Sequence, residues 1–213
     1  MAAPTIYGPQ FSTYVRTVRL ALEEKPASYE LIDVAMMQGA HQQPAFLARN
    51  PFGKVPAFSH DGVEIYETDA IIRYIDQAIP GRALQPSEAA PRARMNQIIG
   101  IIDSFAYPAM ITKIVMQRVV VPMMGGQADE AMIKDGIPTA ELCVKEIERI
   151  QAGNKYLVGD KVSLADLFLV PVFHYFAQTP EGQAVLKPHA KLKAWWDLMK
   201  ARNSVVTTEP KLG

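Results

Sequence analysis

Residues 50–58 run Asn50-Pro51-Phe52-Gly53-Lys54-Val55-Pro56-Ala57-Phe58, a tight loop leading into a short strand with a proline inside it. Proline cannot donate to a sheet ladder, so few positions in a sheet accept one. Two readings accommodate Pro56. It is an ordinary edge-strand proline, or the Val55–Pro56 bond is cis and turns the Val55 N–H and C=O out toward a ligand. Residues 58–66 continue as a strand end, the Asp61-Gly62 turn and a returning strand, hence a hairpin. Glu67-Thr68-Asp69 then opens a helix with Ile71, Tyr74, Ile75 and Ala78 on its buried face. Acid and hydroxyl at a helix start are ordinary capping residues, and the same free N–H groups bind a carboxylate.

Upstream, Thr5-Ile6-Tyr7 forms a short strand ended by Gly8-Pro9. Ser12 opens a helix with Val15, Val18 and Leu22 on one face. Ser12 serves as an N-cap, but a hydroxyl there also sits where N–H groups and the helix dipole favour an anion. A thiol ionises near pH 8.5, and lowering that by about two units takes roughly 2.7 kcal/mol of preferential thiolate stabilisation. Were the bound anion a thiolate, a hydrogen bond from Ser12 plus the helix end would be expected to supply much of it. Residues 29–34 read as a second strand, parallel to the first through a right-handed crossover. A loop carrying His41 and Gln42 and a short helix over 44–49 follow. The order βαβ, hairpin, helix is that of a thioredoxin-like domain.

These motifs resemble the soluble glutathione transferases. Residues 50–58 with Glu67-Thr68-Asp69-Ala70-Ile71-Ile72-Arg73-Tyr74-Ile75 look like that family's glutathione-binding half, and the match runs through residues 4–80. Gly8-Pro9-Gln10-Phe11-Ser12-Thr13-Tyr14-Val15-Arg16 resembles the serine-type members, nearest the phi class and its bacterial relatives. The resemblance implies that Ser12 is catalytic. Val55 and Pro56 then pair with the backbone of glutathione, Glu67 and Thr68 take its γ-glutamyl end, and His41 and Lys54 lie at its glycine carboxylate. Gln42 replaces a lysine often found in the family. Tyr7 and Thr13 stand as alternatives for contact with the thiol, since tyrosine-type members carry a phenol at the end of the first strand. No cysteine lies near Ser12, which argues against thiol–disulfide exchange. Phe52 either inserts into a partner subunit or packs within its own loop.

Of the 213 residues about half are hydrophobic, which suits a substantial core in one large or two small domains. Lys plus Arg equals Asp plus Glu at 22 each, so no basic field for nucleic acid exists. No signal peptide and no apolar run near membrane-spanning length is apparent, and Cys143 alone forms no internal disulfide. A cytoplasmic protein that engages neither nucleic acid nor membrane is expected. A domain boundary near residue 83 divides an α/β thioredoxin-like domain, 1–82, from an all-α domain, 83–213. In the latter, Met95, Ile98, Ile99, Ile102, Phe105 and Ala106 predict a long helix over 91–120, kinked at Pro108. Ser163 and Asp166 form a capping box ahead of a core helix over 164–177, and a tail from Asn203 onward is expected to cover the domain cleft.

The electrophile pocket is expected between the Ser12 helix and the long helix, lined by Phe11, Tyr107 and Ile111. The implied reaction uses glutathione as co-substrate and needs no metal. Its thiolate attacks an apolar electrophile such as an activated aryl halide, an unsaturated carbonyl or a hydroperoxide. The alternatives are a non-catalytic binding or assembly module of the same fold and a glutathione-dependent peroxidase or dehalogenase. The family resemblance also implies a homodimer, with Asp103 a candidate to reach the partner's site.

Overall fold

A computed structural model describes residues 3–210. The chain divides into two compact units, one holding the residues up to Leu84 together with those from Arg202 on, the other Gln85–Ala201.

The first unit is built on a four-stranded sheet in the order β2-β1-β3-β4, with β1 Thr5–Tyr7, β2 Glu30–Ile32, β3 Ala57–His60 and β4 Val63–Tyr66. β1 runs parallel to β2 and antiparallel to β3, and β3 and β4 form the hairpin around Asp61-Gly62. Side chains alternate between the faces of a strand. Ile6 is fully buried, while its neighbour Tyr7 packs with Val55 against a cluster of Val34, Phe46 and Ala57. Helices α1 (Thr13–Glu24) and α3 (Thr68–Ala78) pack on each other, through apolar faces that include Val15, Val18, Leu22, Ile71, Ile72 and Ile75. The short α2 covers Pro44–Leu47.

The second unit is helical. Helix α4 spans Ala89–Met123, and from Ile102 to Val120 it is wound in the wider π form, closing with the Val121 N–H on the Met116 carbonyl. Pro108 lies within this stretch and has no N–H to contribute. A bond reaching five residues back carries more residues per turn than an α-helix, so an i, i+3 pattern drifts off the buried face. That is why Phe105, expected inside, is exposed while Ala106, Ala109 and Met110 are buried. By length and composition α4 is long and apolar enough to cross a membrane, contrary to the expectation from counting uninterrupted apolar residues. Half of its apolar window is buried inside the structure, as in the core helix of a globular domain.

Helices α5 (Glu130–Gln151), α6 (Leu164–Phe176), α7 (Pro180–Leu186) and α8 (Ala190–Lys200) complete the unit. α6 is buried on nearly every side, and Asp166 anchors its start. The Asp166 carboxylate accepts from the Ser163 N–H and hydroxyl, the Leu157 N–H and the Trp195 indole, at 2.7–2.9 Å. The capping box is therefore also the junction of α6 and α8. The tail holds an element that its sequence does not announce. Asn203–Thr207 forms a short helix, α9, that packs along α1 within the first unit.

Candidate active site

Ser12 caps α1 with an extended backbone, its Oγ accepting from the Val15 N–H at 3.4 Å. Its own N–H turns back to the Pro9 carbonyl at 3.1 Å. The hydroxyl thus sits at the positive end of a three-turn helix, partly exposed. Gly8 decides what lies beside it. A Cβ there would come within 2.5 Å of Val15 Cγ2 and 3.1 Å of Val55 Cβ. Only the missing side chain lets the first turn of α1 and the Val55 segment close on the same point.

The Val55–Pro56 bond is cis. Among the described residues, neither the N–H nor the C=O of Val55 has a hydrogen-bond partner. The preceding loop is held by buried Asn50, whose amide donates to the Lys54 carbonyl at 2.7 Å and whose side-chain oxygen accepts from the Phe52 N–H at 3.1 Å. Gln42 closes on the same loop through Gly53, donating to its carbonyl at 3.4 Å. His41 is partly buried, and its Nδ1 is enclosed without a protein partner. The Lys54 side chain is exposed, and its ammonium has no acidic partner among the described residues.

Glu67 precedes α3 at φ 69 and ψ 114, a backbone conformation that non-glycine residues avoid. Its side chain makes no capping bond and is exposed, whereas Thr68 is buried. The expected capping use of Glu67 is therefore not realised: among the described residues the acid has no partner, and it stands beside a helix N-terminus. Strain of this kind persists where surrounding structure enforces it, commonly at a ligand site. Tyr7 carries the Arg49 guanidinium over its ring at 4.0 Å, and Arg49 also pairs with Glu64 at 3.2 Å. Burial pushes the Cys143 thiol up to about 11, which leaves it a packing residue.

Residues 4–77 match the N-terminal domain of glutathione S-transferases, and residues 111–203 match the C-terminal domain. The chain belongs to the glutathione S-transferase family. It is 30% identical to glutathione S-transferase F13 of Arabidopsis thaliana, over 99% of this chain and 96% of that protein. Among solved structures it is similar to glutathione transferase F7 from Populus trichocarpa, with TM-score 0.87, 30% identity and 97% of each chain covered. It is also similar to glutathione S-transferase I from maize in complex with an atrazine–glutathione conjugate, with TM-score 0.84 and 30% identity over 97% of this chain and 96% of that one.

In this glutathione S-transferase family member, Ser12, Gly8, Val55 and Pro56 converge at one end of the sheet. Phe11 is 42% exposed beside them. Tyr107 and Ile111 stand one turn apart on α4 in the second unit, the first half-buried and the second buried. Phe52 is 67% exposed and meets the Tyr66 ring edge-on at 6.0 Å. Sequence reasoning missed the parts played by Gly8, Asn50 and Arg49. A Gly-Pro pair reads as a strand terminator, and nothing local signals that its lost Cβ is what admits Val55.

Proposed function

We propose that the protein is a serine-type glutathione transferase. Glutathione lies in extended form along Val55, exchanging backbone hydrogen bonds with its N–H and C=O. Its γ-glutamyl carboxylate meets Thr68 and the free N–H groups of the first turn of α3, and its amino group meets Glu67. His41 and Lys54 hold the glycine carboxylate. The thiol then falls at the N-terminus of α1, where Ser12 donates to the sulfur. The proton leaves to solvent, and the thiolate attacks an apolar electrophile, forming the carbon–sulfur bond as the leaving group departs. Phe11, Tyr107 and Ile111 are the electrophile-binding residues in this reading. The related maize structure with an atrazine–glutathione conjugate favours an activated aromatic ring as one such electrophile. Most of the rate gain comes from ionisation and positioning.

The observation that carries this reading is the unpartnered Val55 backbone meeting the Ser12 cap at Gly8. Ultraviolet difference titration of bound glutathione tests it. Wild type should ionise the thiol well below the free tripeptide, and Ser12→Ala should restore the free value while glutathione still binds. Loss of one such donor should cost about a hundredfold in turnover. An unshifted thiol in both proteins would reduce Ser12 to a helix cap. The enzyme is further proposed to be a homodimer in which exposed Phe52 enters the partner. Light scattering should return twice the chain mass, and Phe52→Ser should shift it to the monomer.

A further inference from the structure

Helix α1 carries more buried charge than a helix of its length needs, and the C-terminal segment answers it. Arg16, one turn after Ser12, is 1% exposed. Its Nε donates to the Thr208 hydroxyl at 3.4 Å and its Nη2 to the Val205 carbonyl at 3.1 Å. Arg19 donates to the Thr208 carbonyl at 3.2 Å. At the other end of α1, Glu24 accepts two bonds from Arg202 at 2.7 Å and one from the Ser204 hydroxyl at 2.6 Å. The segment therefore runs antiparallel to α1 and grips it at its first and last turns. The dependence is mutual. A five-residue helix such as α9 is marginal alone, and the Arg16 and Arg19 guanidiniums satisfy the carbonyls at its end. In return, α9 supplies acceptors that let a guanidinium be buried beneath the start of α1.

We propose that Arg202–Thr208 is a positioning strap for the thiol-activating end of α1. It touches neither glutathione nor the electrophile. It fixes the rotation of α1, and with it the direction of the Ser12 hydroxyl, and it holds the Arg16 cation one turn away. The degree of thiol ionisation is then set partly by residues nearly two hundred positions downstream. This inference rests on the Ser12 reading above.

The test uses the full chain with Thr208→Val, which removes the hydroxyl at constant shape, and Arg202→Gln, with Arg202→Lys as the charge-keeping control. Bound glutathione is titrated by ultraviolet difference in each, alongside its affinity and the melting temperature. Thr208→Val and Arg202→Gln should each raise the apparent thiol pKa by about half a unit, a roughly threefold loss of thiolate at pH values below it. Turnover should fall in proportion, glutathione affinity should stay within about twofold, and Arg202→Lys should recover most of the loss. Titrations that superimpose on wild type while Ser12→Ala shifts would make the strap purely structural, whatever the melting temperatures, and overturn the proposal. If Ser12→Ala itself leaves the thiol unshifted, the Ser12 reading fails and the strap's role in ionisation falls with it.

Discussion

At the scale of single residues, Glu67 separates stability from ligand binding. A non-glycine residue held at φ 69 with no capping bond costs roughly 1–3 kcal/mol in the folded state. Glycine would relieve that strain, while its freedom in the unfolded chain takes back about 0.4–1 kcal/mol. The strain term is the larger, so Glu67→Gly should stabilise the protein by on the order of 1 kcal/mol. The same change removes the acid proposed to meet the γ-glutamyl amino group, and glutathione affinity should fall by about tenfold or more. Thermal melting and calorimetric titration of the one variant read both effects. A lower melting temperature would mean that Glu67 is a structural residue whose backbone costs little. Ser12 differs in kind. Its 3.4 Å cap bond to Val15 is long, so its loss weakens the helix less than the usual N-cap.

At the scale of elements, Asp166 shows how a local motif does more than its spacing reveals. The serine and the acid three residues on predict a cap for one helix, and the cap is present. Nothing near them in sequence announces that the Trp195 indole and the Leu157 N–H converge on the same carboxylate. Burial pushes its pKa up, and four donated hydrogen bonds oppose that shift. Asp166→Ala leaves four donors without an acceptor inside the core, so it should cost about 3–5 kcal/mol and unfold the helical unit at lower denaturant. A loss under 1 kcal/mol would show that water replaces the carboxylate. The strands, the hairpin, α1 and α3 were legible for a related reason: each is specified by residues adjacent in sequence, whereas Pro56 alone left the cis bond open. The drift of α4 was not. Its winding changes from α to π at Ile102 with no local mark in the sequence, so Phe105 keeps the spacing of a core residue and stands in solvent. The docking of the tail escaped for want of periodicity, since Arg16, Arg19 and Glu24 read as the polar face of an ordinary helix until their partners past residue 200 are known.

At the scale of the whole molecule, carboxylates held by arginine set the response to acid. Burial pushes the Glu24 carboxyl up, but hydrogen bonds from Arg202 and Ser204 and the charges of Arg202 and Arg82 outweigh it and leave it below its ordinary value. Arg118 holds Glu181 low in the same way, between α4 and α7, and His189 does so for Glu148 against burial. A depressed pKa means that the unfolded chain binds the proton first as pH falls. The stability these groups contribute is fully present above the unfolded carboxylate value of about 4.3 and is lost as pH drops through the lower folded value. Both units of the chain should therefore weaken over one acidic interval, with little change between about pH 6 and 8. Glu24→Gln isolates the share of the α1–tail contact. At neutral pH it breaks a nearly buried ion pair and should cost about 3 kcal/mol. As the medium is acidified below pH 4.5, wild type loses what the variant no longer has, so the two melting curves should converge. Curves that stay parallel down to pH 3 would place the acid sensitivity elsewhere and leave the Glu24–Arg202 pair without a share in it.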